Sequence, residues 1–309
     1  MHTVVSVVLP IFALILVGWL CRKSNRLGPN AASEINRLVV WLCLPALLFK
    51  VTATATWAQI WQPGFLVAFT GGCLLVFFAT LGWRLWQGRA LPAASIDGLS
   101  ASYANTGYMG IPLCLLVFGQ DGLEPALIAS LLVVCVLFAI AVVCIEVGLQ
   151  SERHIGRAVA VVLKALLKNP LVVSPLVGGL WAAGGVALPA PLLHFLDLLA
   201  AATTPCALVS LGLFLAQKQE GPRVGAWPLV AIKLVGQPLL TGVLAYKVFA
   251  LPPLWADSAL LLSALPTGTG PYMLAEYYQR EAPVVSRSIL LSTLLSLLSL
   301  SLCLLWIAR

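Results

Sequence analysis

Long apolar runs, separated by short polar connections, make up nearly the whole chain. A helix that crosses a bilayer needs about 20 predominantly apolar residues, and the runs are of about this length. The pattern predicts ten transmembrane helices, at residues 4–20, 34–54, 64–83, 97–118, 125–147, 169–185, 192–216, 228–249, 256–278 and 284–308. The first run lacks a basic leader and a small-residue cleavage site, so we interpret it as a span rather than a signal peptide.

The composition agrees with a chain whose main solvent is lipid. Of its 309 residues, 61% are hydrophobic and 9% are charged, and the mean hydropathy is +1.00. A soluble domain carries about 25% charged residues. The composition therefore excludes a soluble globular enzyme and a disordered chain. It also excludes a nucleic-acid partner, although the net charge is +7.

Basic residues concentrate in alternate connections. Fourteen of the eighteen Lys and Arg residues lie in or beside the connections that follow odd-numbered spans. Basic residues are enriched in cytoplasmic loops, so this distribution predicts that both termini lie outside the cytoplasm. The fourteen are Arg22, Lys23, Arg26, Arg37, Arg84, Arg89, Arg153, Arg157, Lys164, Lys168, Lys218, Arg223, Arg280 and Arg287.

The longest polar connection divides the ten spans into two groups of five. We predict a first repeat at residues 1–150, a cytoplasmic linker at 151–168 and a second repeat at 169–309. Because five is an odd number, the second repeat must be inverted relative to the first. The predicted fold is thus all-α, with two inverted five-helix repeats. Pro45 and Pro205 hold similar places in spans 2 and 7.

Spans 4 and 9 are the corresponding pair that glycine and proline interrupt. The interruptions are Asn105-Thr-Gly-Tyr-Met-Gly-Ile-Pro112 and Pro266-Thr-Gly-Thr-Gly-Pro271. Non-helical backbone at membrane depth is tolerated only where it contacts protein or water. Paired broken segments in matching positions of two halves indicate the binding site of a secondary transporter. We therefore expect two broken helices that cross near the middle of the membrane.

The broken helices favour an anionic ligand. Each offers a half-helix N-terminus, whose amides and partial positive charge suit an anion. Neutral side chains add further donors and acceptors, and the expected ligand is a small organic anion such as a carboxylate. We predict that Asn105, Thr106, Thr267 and Thr269 bind the substrate, and that Gly107, Gly110, Pro112, Pro266, Gly268, Gly270 and Pro271 shape the crossover.

Few charged residues lie inside the spans. Lys233, with Gln237 one turn further, either extends towards the cytoplasmic interface or supplies a positive charge to the substrate path. Lys50 is expected to extend towards the outer interface, and Asp97 and Asp257 to begin spans 4 and 9 as helix N-termini. Because no acidic residue is expected at the midplane, coupling to a proton or to sodium stays open, as does the direction of transport.

The two interrupted motifs resemble those of a known family. Asn105-Thr106-x-x-Met109-Gly110-Ile111-Pro112-Leu113 is similar to the fourth-span motif of the auxin efflux carrier family. Pro266-x-Gly268-x-x-Pro271-Tyr272-x-x-Ala275-x-x-Tyr278 resembles its ninth-span motif, as Lys168-Asn169-Pro170 resembles the start of its sixth span. The family includes plant auxin exporters and bacterial carboxylate permeases. One difference is Ala104, where plant members have proline.

The resemblance implies ten spans in inverted halves, divided into a scaffold and a mobile transport part. It adds Tyr272 to the candidate binding residues. It also implies alternating access, a homodimer formed through scaffold helices, and the bacterial inner membrane as location. A dicarboxylate such as malonate or malate is the expected substrate, and an auxin-like aromatic monocarboxylate is the alternative.

Other functional classes have less support in the sequence. An intramembrane enzyme would need clustered acids, a Ser–His pair, paired aspartates or a His-Glu-x-x-His zinc motif, and the sequence has none of these patterns. No Cys-x-x-Cys pair occurs among the eight cysteines, and the three histidines lie far apart in the sequence, so a zinc site lacks support. No cofactor is expected. A channel is a further alternative, which saturation of transport by substrate would distinguish.

Overall fold

The computed structural model describes residues 2–54, 61–149, 167–168, 170–217 and 225–308. Within these ranges the regular secondary structure is helical, apart from one isolated β-bridge. The helices are α1 (His2–Lys23), α2 (Ala31–Thr54), α3 (Pro63–Trp86), α4 (Leu91–Ser102), α5 (Ile111–Phe118), α6 (123–149), α7 (Pro170–Ala183), α8 (Ala190–Leu215), α9 (Ala226–Val248), α10 (Pro253–Ser263), α11 (Gly270–Tyr277) and α12 (Ala282–Ile307).

Proline residues define the first turn of several helices. Pro92 lies in the first turn of α4, and Pro253 begins α10. Proline suits this position because the first amides of a helix have no intrahelical acceptor. As a result α4 begins six residues before Asp97 and α10 four residues before Asp257. The prediction that these two aspartates begin their helices is therefore wrong.

Two compact units can be distinguished. The first contains α1, α2, α5, α7 and α8, and its helices approach through small residues. A Cβ atom on Gly212 of α8 would lie 1.9 Å from the carbonyl oxygen of Ile15 in α1, and one on Gly178 of α7 would lie 2.1 Å from Oγ1 of Thr52 in α2. The backbones thus come into direct contact, as is common between membrane helices.

The second unit contains α3, α4, α9, α10, α11, α12 and most of α6. Aromatic rings fill part of its interior: Phe65 and Phe69 of α3 stack with centroids 5.7 Å apart, and Trp255 of α10 meets Phe65 edge to face at 5.1 Å. At Gly72 of α3, a Cβ atom would lie 2.2 Å from Oγ1 of Thr241 in α9. These contacts hold α3, α9 and α10 together.

Six helical stretches of the described residues are long and apolar enough to cross a membrane. They are Ala31–Thr54, Pro63–Trp86, Thr106–Leu149, Ala190–Leu215, Ala226–Val248 and Ala282–Ile307. Many large apolar side chains are exposed, including Trp41, Leu176 and Leu298. Such a surface suits contact with lipid chains.

Several sequence-based predictions fall outside the described residues. They concern the linker at 151–166, Asn169 and the basic residues Arg153, Arg157, Lys164, Lys218 and Arg223. Each compact unit combines helices from both predicted repeats, so the division into repeats at 1–150 and 169–309 stays a prediction.

Candidate functional site

The chain leaves the helical conformation at both predicted interruptions. Helix α4 ends at Ser102, and helical structure resumes with a π-helical stretch, Thr106–Gly110, that leads into α5. Helix α10 ends at Ser263, and α11 begins at Gly270. The gaps contain Asn105 and Thr267, two of the residues that the sequence predicts to bind the substrate.

A short antiparallel contact joins the two gaps. Ala104 and Thr267 form an isolated β-bridge. The amide of Asn105 donates to the carbonyl oxygen of Pro266 at 2.9 Å, and the amide of Gly268 donates to that of Tyr103 at 3.0 Å. Because an unpaired backbone group in hydrocarbon costs several kcal/mol, the two interruptions stabilise each other.

Most backbone amides of the two gaps already donate hydrogen bonds within the protein, so few of them could bind an anion. The amide of Thr106 donates to Ala104 O at 2.8 Å, and the amide of Thr267 donates to Oγ of Ser292 at 3.1 Å. The gap amides are thus largely used by the protein itself. Amides without an intrahelical acceptor belong instead to the first turns of the helices that follow each gap.

Polar side chains cover the carboxyl ends of both broken helices. Carbonyl groups in the last turn of a helix lack intrahelical donors. Gln237 Nε2 donates to Ser102 O at the end of α4 at 2.9 Å. Lys233 Nζ donates to Ser263 O at the end of α10 at 2.7 Å.

Lys233 does not extend to the interface. Its side chain is 0% exposed, which contradicts the first of the two alternatives, that it extends towards the cytoplasmic interface. Its ammonium lies at the negative end of the α10 helix dipole, where a cation is favourable. It serves as a cap for a broken helix, which neither sequence-based alternative for this residue described.

The predicted binding residues differ in burial and in whether their side-chain donors already have hydrogen-bond partners. Thr267 is buried, and its hydroxyl donates to Ser100 O at 2.9 Å, which helps to cap α4. Asn105 is 4% exposed, and its Nδ2 has no hydrogen-bond partner in the described part of the chain. Thr106 is also buried, whereas Thr269 and Tyr272 are half-buried. Asn105 therefore presents an unsatisfied buried donor, which is costly to leave unpaired.

At the second interruption, glycine allows an aromatic ring to lie directly against the backbone. A Cβ atom on Gly270 would lie 2.5 Å from Cζ of Tyr103, and one on Gly268 would lie 3.0 Å from Cδ1 of the same ring. Tyr103 also meets Phe138 edge to face at 6.4 Å. Gly107 differs, since a Cβ atom there would find no atom within 4 Å.

The structure places the other predicted shaping residues in or beside the two interruptions. Pro112 lies in the first turn of α5, and Pro271 follows the first residue of α11, where proline is tolerated. Pro266 contributes the carbonyl that accepts from Asn105. Gly110 closes the π-helical stretch before α5.

Sequence reasoning missed the residues that support the gaps from behind. Tyr103 was not singled out, although it lies only two residues before the first motif. Ser292 accepts from the amide of Thr267 and belongs to a buried series on α12, Ser288, Ser292 and Ser296. Their spacing of four residues in an otherwise apolar helix is a signal for a polar face turned towards protein. Ser100, Ser102 and Ser263 act through backbone carbonyls, which no side-chain pattern reveals.

Several other charged residues form ion pairs within one unit. Asp97 is 0% exposed. Its Oδ2 lies 2.9 Å from Nε of Arg84 and 3.7 Å from a terminal nitrogen of Arg89. The same nitrogen of Arg89 also lies 2.5 Å from Glu281. Asp97 is thus the centre of a buried charge cluster rather than a helix-start residue.

Two further carboxylates and one lysine also have partners. Tyr246 donates its hydroxyl to Asp257 at 2.6 Å. Lys50 of α2 forms an ion pair with Asp197 of α8, so its position is explained by a contact between helices. Among the described residues, no group of three or more His, Cys, Asp or Glu side chains could hold a metal ion.

Comparison with known proteins places this arrangement in a family. The family model described as "Membrane transport protein" matches residues 3–304. The chain belongs to this family. It is 29% identical to the "Putative malonate transporter" of Rhizobium meliloti over 300 residues, which cover 96% of this chain and 93% of the relative.

Relatives of lower identity match the same share of the chain. An "Uncharacterized transporter" of Methanothermobacter thermautotrophicus is 26% identical and covers 96% of this chain and 95% of its own length. "Auxin efflux carrier component 8" of Arabidopsis thaliana is 24% identical, with coverage of 96% and 95%. The resemblance to the auxin efflux carrier family is thereby confirmed. The protein is an integral membrane transport protein, and its named relatives are transporters rather than enzymes.

Proposed function

We propose that the protein is a secondary transporter that moves small organic anions across the membrane by alternating access. The substrate is a carboxylate, above all a dicarboxylate such as malonate or malate. The observation that carries this proposal is the pair of broken helices joined by the Ala104–Thr267 bridge. A transporter binds its substrate at such breaks, and the relative from Rhizobium meliloti is named for malonate.

Asn105, Thr106, Thr267, Thr269 and Tyr272 form the proposed binding site. Of these, Asn105 contributes most directly, because its buried Nδ2 is a donor without a partner among the described residues. A carboxylate oxygen would satisfy this donor, and a hydrogen bond to a charged group contributes about 1.5–3 kcal/mol. Thr267 acts mainly by holding the end of α4, so its contribution to binding is indirect.

The lengths of the broken helices support a site near the midplane. Helix α4 has 12 residues before its interruption, and α10 has 11. At 1.5 Å per residue each is about 16–18 Å long, roughly half of a hydrocarbon core about 30 Å thick. The similar lengths favour two halves of similar construction.

The proposal includes the architecture in which the site works. Helices overlap all ten apolar segments of the sequence, which supports ten spans in inverted repeats at residues 1–150 and 169–309, joined by a cytoplasmic linker at 151–168. The distribution of basic residues supports termini outside the cytoplasm of a bacterial inner membrane. We further propose a homodimer and leave the coupling ion, proton or sodium, to experiment.

Counterflow of radiolabelled malonate in proteoliposomes tests the function. Vesicles loaded with unlabelled malonate should accumulate label only when they contain the protein, and malate should compete. Indole-3-acetate in place of malonate tests the auxin-like alternative. Current that does not saturate with substrate would indicate a channel and contradict the proposal.

Variants test the site itself. We expect Asn105→Ala to lower the apparent affinity for malonate about tenfold or more, because the charge-assisted hydrogen bond is lost. Asn30→Ala is the matched control, since Asn30 is exposed and its side chain does not cap α2. Equal malonate counterflow by the Asn105→Ala variant and the wild type would overturn the site assignment while leaving the transport function intact.

A further inference from the structure

The ammonium group of Lys233 has an unusual environment for a charge inside a membrane protein. The residue lies in a π-helical stretch of α9, Ile232–Gly236, and is completely buried. Burial of a charge is costly unless it is paired or hydrogen-bonded. No carboxylate of the described residues lies within ion-pair distance of Nζ, as the described ion pairs involve other basic residues. Another group must therefore offset the cost of burying this ammonium charge.

That group is the carboxyl end of a broken helix. Nζ of Lys233 donates to the carbonyl oxygen of Ser263, the last residue of α10, at 2.7 Å. The final carbonyls of a helix carry a partial negative charge of roughly half an elementary charge. An interrupted helix places this charge inside the protein instead of at the membrane surface. A fixed cation at this point neutralises it.

One face of α9 serves both interruptions. Gln237 follows Lys233 by four residues, which places the two side chains on the same face of the helix. Gln237 Nε2 donates to Ser102 O, at the end of α4, as Lys233 does to the end of α10. The π-helical stretch that contains Lys233 is a type of irregularity common at functional positions. The neutral amide covers one carboxyl end and the ammonium covers the other.

In many secondary transporters, unwound carbonyls and the carboxyl ends of half-helices coordinate a coupling sodium ion. We propose that Lys233 is a positioning residue that acts as a tethered cation at the carboxyl end of α10, and that removal of its side chain creates a site for a small monovalent cation there. The importance of Lys233 for transport rests on the function proposed above. The formation of a cation site when its side chain is removed does not depend on that function.

Two substitutions separate charge from volume. Lys233→Ala removes the ammonium and leaves room for a replacement cation. Lys233→Met also removes the charge but fills the space with an apolar chain of similar length. Lys50→Ala is the matched control, because Lys50 forms a partly exposed ion pair in the first unit.

The first measurement is thermal stability in detergent, with sodium chloride, methylammonium chloride or choline chloride at equal ionic strength. The melting temperature of Lys233→Ala should rise with sodium or methylammonium relative to choline, because a cation that binds only the folded state stabilises it. Lys233→Met, Lys50→Ala and the wild type should show no such difference. A Lys233→Ala protein whose stability is the same in all three salts would overturn the proposal.

The second measurement is malonate counterflow in the same salts. Lys233→Met should transport at about one tenth of the wild-type rate or less, because the carboxyl end of α10 loses its cation. Lys233→Ala should recover with sodium or methylammonium but not with choline. If Lys233→Met transports malonate at the wild-type rate, the role of the charge is refuted. This test remains decisive even if Lys233→Ala does not fold. If the wild type moves no malonate but Lys233→Ala is stabilised by sodium, the proposed function fails and the inference about Lys233 stands.

Discussion

The contact between Tyr103 and Gly270 allows a sharp test of how the second interruption is built. In the structure a Cβ atom on Gly270 would lie 2.5 Å from Cζ, 2.7 Å from Cε2 and 2.9 Å from Oη of Tyr103. The optimal separation of two carbon atoms is about 3.5–4.0 Å. In the Gly270→Ala variant the ring or the start of α11 would therefore have to move by about 1 Å.

The expected cost follows from the rigidity of the surroundings. Tyr103 is held by its carbonyl, which accepts from the amide of Gly268, and by its ring contact with Phe138. An added methylene group in a well-packed site costs about 1–3 kcal/mol. We expect Gly270→Ala to lower the free energy of unfolding by this amount. The three nearest atoms all belong to the side chain of Tyr103, so the same substitution should cost much less in a Tyr103→Ala background.

A double-mutant cycle measures this difference. Unfolding by increasing SDS in mixed micelles, followed by tryptophan fluorescence, would give the four free energies. The coupling energy between the two sites should be about 1–3 kcal/mol. Tyr103→Phe keeps Cζ and Cε2, so it should not relieve the clash. Gly179→Ala is the control, because a Cβ atom there meets no atom within 4 Å. Equal losses from Gly270→Ala with and without the Tyr103 ring would refute the reasoning.

Two further predictions concern the packing within each unit. Gly212→Val should prevent the close approach of α8 to α1 and strongly reduce the yield of monodisperse protein in size-exclusion chromatography, since even a Cβ atom would lie 1.9 Å from Ile15 O. The control Gly82→Ala, with open space around it, should leave the yield unchanged. An equal yield for both variants would contradict this prediction. Arg84→Gln should lower the free energy of unfolding by about 3–5 kcal/mol, because it removes the nearest partner of the buried Asp97 carboxylate. Asp97→Asn should cost less in the same SDS titration, because Arg84 keeps its bond to a backbone carbonyl; the reverse order would show that the carboxylate is not the costly partner.

Hydrogen bonds join the two interruptions to each other and to α9 within the second unit. Asn105 and Gly268 each donate to the opposite gap, and the ends of α4 and α10 are both held by α9. Breaking these bonds would leave buried donors and acceptors unpaired, which costs about 1–3 kcal/mol per group. Under the alternating access proposed above, we therefore expect α4, α9 and α10 to move together as one body.

Hydrophobicity and the placement of glycine and proline were sufficient to predict much of this protein. Long apolar runs have no alternative to helices in lipid, because backbone groups must pair within the segment. Clusters of helix breakers weaken a helix wherever they occur. The all-helical fold, the membrane setting and the interruptions around Asn105 and Thr267 are therefore properties of the local sequence, as is the family resemblance carried by those motifs.

Only the tertiary structure decided how the interruptions are satisfied. The sequence places Lys233 in an apolar helix, but its partner is a carbonyl thirty residues away, and Thr267 reaches one that is 167 residues away. Backbone acceptors look alike at every position, so no pattern of side chains could identify them. The same holds for Gly270, where a Cβ atom would clash with the ring of Tyr103, a residue distant in the sequence. Local propensity determines where a helix breaks, whereas the capping of its ends depends on which distant groups the fold brings into contact.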